Sequence, residues 1–100
     1  MQGAQIDGNS IVSWGAETVA TDVNDEVVLM SMERNRCYGL GITGSEIWRT
    51  LGKPIPVSEV IAHLTQIYEA PSGKIEEDVL RTLAELYEEG LIQIHANSDR

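Results

Sequence analysis

Cysteine, basic residues and long apolar runs are all scarce in this 100-residue chain, and each scarcity excludes something. Cys37 is the only cysteine. An internal disulfide is therefore ruled out, and so is a cysteine-based metal cage built from one copy. Nothing approaches the roughly 18 to 20 consecutive apolar residues of a membrane span. Met1 to Ser10 has neither the basic cluster nor the apolar centre of a secretory signal. It reads as a disordered polar tail, and a cytoplasmic protein with no membrane partner is expected. Seven Lys and Arg stand against sixteen Asp and Glu, a formal net charge of −9. Affinity for nucleic acid comes largely from cations that displace counterions from phosphate, so DNA and RNA are poor partners for this surface.

Catalytic patterns are missing as well. His63 falls in a helical segment and His95 near the end, and neither has a second ligand at metal-binding spacing. Both read as polar surface histidines. Cys37 has no evident base or orienting partner, so a small strand residue is the plainer reading. No phosphate-binding glycine motif occurs; Gly39-Leu40-Gly41 is too short to count. A non-enzyme without cofactor or metal is expected.

With 42% apolar residues, the composition is that of one globular domain. The expected limits are a tail over 1–10, a domain over 11–95 and a frayed end over 96–100. The apolar period is two before Gly41 and helical after it. Thr18 to Val23 alternates, with Val19, Thr21 and Val23 on one side. Asn24-Asp25 signals a turn. Val27 to Met32 reads as a central strand buried on much of both faces, and Cys37 to Leu40 as a third strand after the loop Glu33 to Arg36. A weaker strand is possible at Ile11 to Trp14.

Thr43-Gly44-Ser45-Glu46 has the form of a capping box, opening a helix with Ile47, Trp48 and Leu51 inward and Gly52 as its stop. Lys53 to Pro56 is a rigid connector. Ser58 then caps a second helix carrying Val60, Ile61, Leu64, Ile67 and Tyr68 at helical spacing. After Ala70-Pro71-Ser72-Gly73, a third helix runs from about Lys74 to Glu89, with Ile75, Val79, Leu83 and Leu86 inward. Leu91 to Ile94 is extended. The expected fold is α+β and winged helix-turn-helix-like: a three-stranded antiparallel sheet packed on three helices.

A winged helix suggests a DNA-binding transcription regulator, the alternative reading. Its third helix would enter the major groove, yet here that helix carries Glu76, Glu77, Asp78, Glu85, Glu88 and Glu89. The meander offers something else. Its last strand is an edge, and a free edge is a template for another strand. Peptides dock in this way, with backbone bonds for affinity and side-chain pockets for register. The edge could equally pair two copies into a homodimer, with Arg34 and Arg36 as guards against that outcome.

The run VVLMSMERNRCYGLGITGSEIWRTL, followed by PVSEVIAHLTQIYEAPSGKIEEDVLRTLAELYEEGLI, resembles the PqqD-like proteins. These are the precursor-peptide recognition elements of ribosomal peptide-modification pathways. The carrying residues are Tyr38-Gly39-Leu40 leading to Thr43-Gly44 and Ile47-Trp48, then Ile75 to Val79 and Glu89 to Ile92. The resemblance covers about Thr18 to Ile94. It implies that the leader of a precursor peptide adds as an antiparallel strand to the third strand, facing the third helix. The implied edge is Asn35, Arg36, Cys37, Tyr38, Gly39 and Leu40. The implied wall is Asp78, Val79 and Thr82, with Arg81, Glu85 and Leu86. The bound leader would be delivered to a modifying enzyme: a radical SAM enzyme in the PQQ pathway, or a leader protease and cyclase in lasso-peptide pathways. One departure stands out. The family often has Asn after the strand's Leu, where this chain has Gly41, so the strand-to-helix corner must be held differently.

Overall fold

The computed structural model describes residues 6–71 and 73–95. The frayed end expected over 96–100 lies outside the described residues, as does the first half of the tail expected over 1–10. Residues 7–10 form a turn in which Ser10 donates its amide to the carbonyl of Asp7.

Six strands and three helices follow: β1 (Ile11–Trp14), β2 (Thr18–Val23), β3 (Glu26–Ser31), β4 (Arg36–Gly39), α1 (Ile42–Arg49), β5 (Ile55–Pro56), α2 (Val57–Ile67), α3 (Lys74–Glu88) and β6 (Ile92–His95). They form two three-stranded antiparallel sheets, β2-β3-β4 and β5-β1-β6. The first is the expected meander. Asn24 and Asp25 both take positive φ, 55° and 71°, which makes the tight two-residue hairpin whose twist matches its strands.

The second sheet is an addition to the expected single one. β1 is its central strand, pairing Ile11 with His95 and Trp14 with Ile92 on one side. On the other side it pairs with Ile55 and Pro56 from the expected connector. Pro56 is tolerated because a sheet edge does not need its missing amide.

β3 differs from expectation too. Val27, Leu29 and Ser31 are buried, while Met30 on the opposite face is 42% exposed. α1 and the end of α3 lie on one side of this sheet, while Val19, Val23 and Met30 on its other face are exposed. The apolar run was therefore half core and half surface.

Two expected helix caps are replaced by backbone contacts. α1 begins at Ile42 with Gly41 as its cap, and no side-chain cap bond forms, so the Thr43 box is not made. α2 begins at Val57 behind Pro56 rather than at Ser58. There the amides of Val57 and Ser58 donate to the carbonyls of Ser10 and Gly8, which satisfies donors that every helix start leaves over. α3 ends as expected before Gly90, which sits at φ 77°. Leu91 donates to Leu86 and Gly90 to Tyr87, the pair of bonds that closes a helix through a left-handed glycine.

The core joins all layers: Val12 of β1, Leu29 of β3, Ile47 and Leu51 around α1, Val57, Val60 and Leu64 of α2, and Val79 and Leu83 of α3. Ile67, expected inward, is 48% exposed, because α2 ends there and the chain leaves the packed layer. Trp14 stacks on Trp48 at 5.4 Å between centroids and donates its indole N–H to the Trp48 carbonyl. That contact ties the second sheet to α1.

Candidate functional site

Among the described residues, β4 is hydrogen-bonded to β3 on one side only. Which of its groups are free follows from the register. Leu40 donates its amide to the Val27 carbonyl at 2.9 Å. The paired residues are Val28 with Gly39, Leu29 with Tyr38, Met30 with Cys37 and Ser31 with Arg36. Bonded and non-bonded pairs alternate along an antiparallel ladder. Tyr38 and Arg36 therefore bond inward to β3, whereas Cys37 and Gly39 direct both backbone groups to the open edge. Cys37 and Gly39 are themselves exposed.

The corner after this strand is held by Ser45, one turn into α1. Its hydroxyl oxygen accepts the Val27 amide at 2.7 Å, and the hydroxyl donates to the Leu40 carbonyl at 3.3 Å. The hydroxyl thus stands inside the last rung of the β3–β4 ladder, relaying a bond between two strands. Ser45 is fully buried. With Gly41 in place of Asn, this is how the corner is fixed.

Facing the edge is α3. A hollow of about 310 Å³ lies between them, lined by Tyr38, Gly39 and Leu40 on one side and Glu85, Leu86, Glu89 and Leu91 on the other. The residues implied by the resemblance separate here. Tyr38, Gly39, Leu40, Glu85 and Leu86 come together around this hollow. Thr82, half-buried, lies one turn before Leu86 on α3, and Asp78 a further turn back. Val79 has no exposed surface and belongs to the core behind the helix. Arg81 is exposed and reaches Asp78 at 3.0 Å. Asn35 is a turn residue at φ 57°, where it ends the β3–β4 hairpin.

Glu89 and Arg34 belong to the site although the resemblance did not point to them. Glu89 Oε1 accepts the Tyr38 hydroxyl at 2.6 Å and lies 3.4 Å from Arg34 and 4.0 Å from Arg36. Arg36 also stands 5.7 Å from the Tyr38 ring. This clasp joins the edge hairpin to the end of α3 and sets the width of the hollow. The two arginines expected to guard the edge are thus both drawn to the clasp. The only signal in the sequence was the acidic end of the third helix, and nothing local paired it with a tyrosine 51 residues away.

The hydrogen bond from Tyr38 holds the Glu89 carboxyl below its usual range, and the same bond holds the Tyr38 phenol above its own. Glu89, with its lowered value, stabilises the fold above the ordinary glutamate range and loses this as pH falls through that value. Tyr38, with its raised value, stabilises it below the ordinary tyrosine range and loses this as pH rises through its own. In Glu89→Gln, one of the chain's three tyrosine transitions should move to lower pH in an alkaline absorbance titration. Three unmoved transitions would show that the clasp is not formed in solution.

The other chemistry-bearing residues sit elsewhere. His63 lies 3.4 Å from Glu46 on the exposed side of α2. His95 is half-buried rather than free on the surface, 2.7 Å from the Ser13 hydroxyl. Among the described residues, no three His, Cys, Asp or Glu side chains gather as a metal would require, and no helix is long and apolar enough to cross a membrane.

The family model for coenzyme PQQ synthesis protein D matches residues 26–92, two thirds of the chain. No curated protein sequence matches. Three solved structures share the fold. TbiB1, in complex with the TbiA(beta) leader peptide, is 27% identical with a TM-score of 0.75, over 84% of this chain and 98% of its own. A lasso peptide synthetase B1, complexed with the leader peptide, is 21% identical with a TM-score of 0.72, over 82% and 96%. The PqqD truncation of PqqCD from Methylobacterium extorquens, a stand-alone recognition element for ribosomally made, post-translationally modified peptides, is 21% identical with a TM-score of 0.72, over 88% and 94%.

Proposed function

Because this chain belongs to the PqqD family, we propose that it captures the leader of a ribosomally made precursor peptide and hands it to a modifying enzyme. The leader adds to β4 as an antiparallel strand. One observation carries this reading: the backbone groups of Cys37 and Gly39, unpaired among the described residues, lie along an edge that faces a hollow against α3. A strand laid there gains backbone bonds on one side and places alternate side chains against Leu40 and Leu86. TbiB1, the relative at 27% identity, holds a leader peptide.

The role is binding rather than catalysis. The enzyme served is a leader protease and cyclase, or a radical SAM enzyme, according to the pathway. DNA is disfavoured by the exposed acids of α3, Glu76, Glu77, Glu85 and Glu88, which would face phosphate.

The test is titration of the isotope-labelled chain with the leader of the precursor encoded beside its gene. The Cys37 and Gly39 amides should shift and become protected from hydrogen exchange, while those of Tyr38 and Leu40, already bonded to β3, gain little. Unchanged Cys37 and Gly39 amides at saturation would exclude strand addition at β4.

A further inference from the structure

The sheet that carries β4 has a second edge at its far side, β2. Its outward groups follow from the same parity. Leu29 and Val27 bond toward β4, so their partners on β2, Ala20 and Asp22, stand in non-bonded pairs. Ala20 and Asp22 therefore direct both backbone groups away from β3, while Val19, Thr21 and Val23 bond to it. The open stretch is bounded at its start, where the Thr18 hydroxyl donates to the Leu91 carbonyl at 3.4 Å. Among the described residues, no strand pairs with it.

Beneath this edge lies a hollow of about 230 Å³, lined by Ala20 and Asp22 of β2 and by Trp14, Trp48 and Arg49. Trp14 is 42% exposed, although its indole N–H is already bonded to the Trp48 carbonyl at 2.7 Å. What faces water is thus apolar ring, the kind of surface that anchors protein interfaces. Charge selects the guest. Arg49, the cation of this hollow, is met by Asp22 at 2.8 Å and Glu46 at 3.8 Å. Glu17 before β2, and Asp25 and Glu26 after it, are exposed and have no ion-pair partner among the described residues. Unmatched negative charge therefore brackets the edge. It favours a basic strand and disfavours a second β2 from a chain of net charge −9.

We propose that β2 docks an extended basic segment of the modifying enzyme, which adds as a strand along Ala20 and Asp22 and seats one large apolar side chain against Trp14. This rests on the reading of the protein as one that delivers a leader to an enzyme. The two guests occupy opposite edges and do not compete. Strands lie about 4.8 Å apart, so a leader beyond β4 and an enzyme strand beyond β2 are four spacings, roughly 19 Å, from each other. They become the outer strands of one five-stranded sheet. Lys or Arg of the enzyme segment meets Glu17, Asp25 and Glu26, which speeds encounter and makes it salt-dependent.

The test uses the full chain, the leader and the purified modifying enzyme encoded beside the gene. Ala20→Pro removes an outward donor and no ladder bond, so fold and leader affinity should stay unchanged. Its affinity for the enzyme should fall at least tenfold. Glu17→Lys combined with Glu26→Lys changes two exposed side chains, and should cost at least tenfold at low salt and flatten the salt dependence. In the parent complex the Ala20 and Asp22 amides should become protected from hydrogen exchange, with or without leader. If both folded variants bind the enzyme at parental strength, β2 is not the docking edge, while delivery of the leader stands. An enzyme that displaces leader from Cys37 and Gly39 also overturns the proposal, since it would then share the β4 edge. An enzyme without affinity for the parent chain overturns the proposal and the delivery reading together. Self-association that Ala20→Pro abolishes would assign the edge to a second copy and overturn the proposal alone.

Discussion

Cys37→Pro is expected to weaken leader binding at least about thirtyfold and leave the fold standing. The amide at Cys37 points to the open edge, so proline removes no bond from the β3–β4 ladder. Edge positions whose N–H faces water are where strands accept proline. A docked leader, by contrast, loses a backbone donor near the centre of its contact and meets the pyrrolidine ring in its place. The missing bond and the unpaired leader carbonyl together weaken binding by about 2–4 kcal/mol, some thirtyfold to several hundredfold. Tyr38→Pro is the informative contrast. Its amide bonds to Leu29, so proline there breaks the ladder and unfolds the hairpin. Calorimetric titration with circular dichroism on both variants separates the two effects. A folded Cys37→Pro that binds leader at parental strength would mean that recognition does not run through the β4 backbone.

Ser45→Ala should be the most damaging single-atom deletion in the chain. The lost hydroxyl leaves the Val27 amide and the Leu40 carbonyl, which the hydroxyl bridges, without their partner in a buried setting. Each unsatisfied buried group costs about 1–3 kcal/mol, so about 2–4 kcal/mol is expected. For a domain of this size that lowers Tm by on the order of 10 °C or more. Hydrogen exchange at Val27 should accelerate beyond the global change, because the relay is what protects that amide. A drop of only a degree or two, with Val27 still protected, would show that the rung re-forms without the hydroxyl.

Both effects converge on one corner, and it is the place where local sequence signals misled. Thr43-Gly44-Ser45-Glu46 has the form of a capping box, yet the helix starts earlier and the serine turns inward to serve two strands. The buried polar environment that made this the better use of Ser45 is built by Val27 and Leu40, neither of which is a helical neighbour. Glu89 is a parallel case. On its own helix it is one acid among several; only the arrival of Tyr38 and two arginines makes it a clasp.

Other features were local and therefore legible. Asn24-Asp25 tolerates positive φ, which nearly dictates a tight hairpin between two apolar runs. Val79, Leu83 and Leu86 recur at helical spacing, and Gly90 can take the left-handed conformation that ends α3. The family match over residues 26–92 covers the β3–β4 hairpin and all three helices, but not β2 or the Asn24-Asp25 turn.

The amino-acid sequence by itself determined the meander, the three helices, the acidic surface and the edge strand that made peptide capture the favoured reading. Each depends on residues close in the chain, or on a composition that no folding can alter. The tertiary structure alone decided the second sheet, where Ile11 to Trp14 finds partners more than forty and about eighty residues away. It alone decided which amides of β4 are free, since that parity is set by pairing with β3. It also placed the hollow between β4 and α3, because a cavity exists only where distant elements fail to fill the space between them.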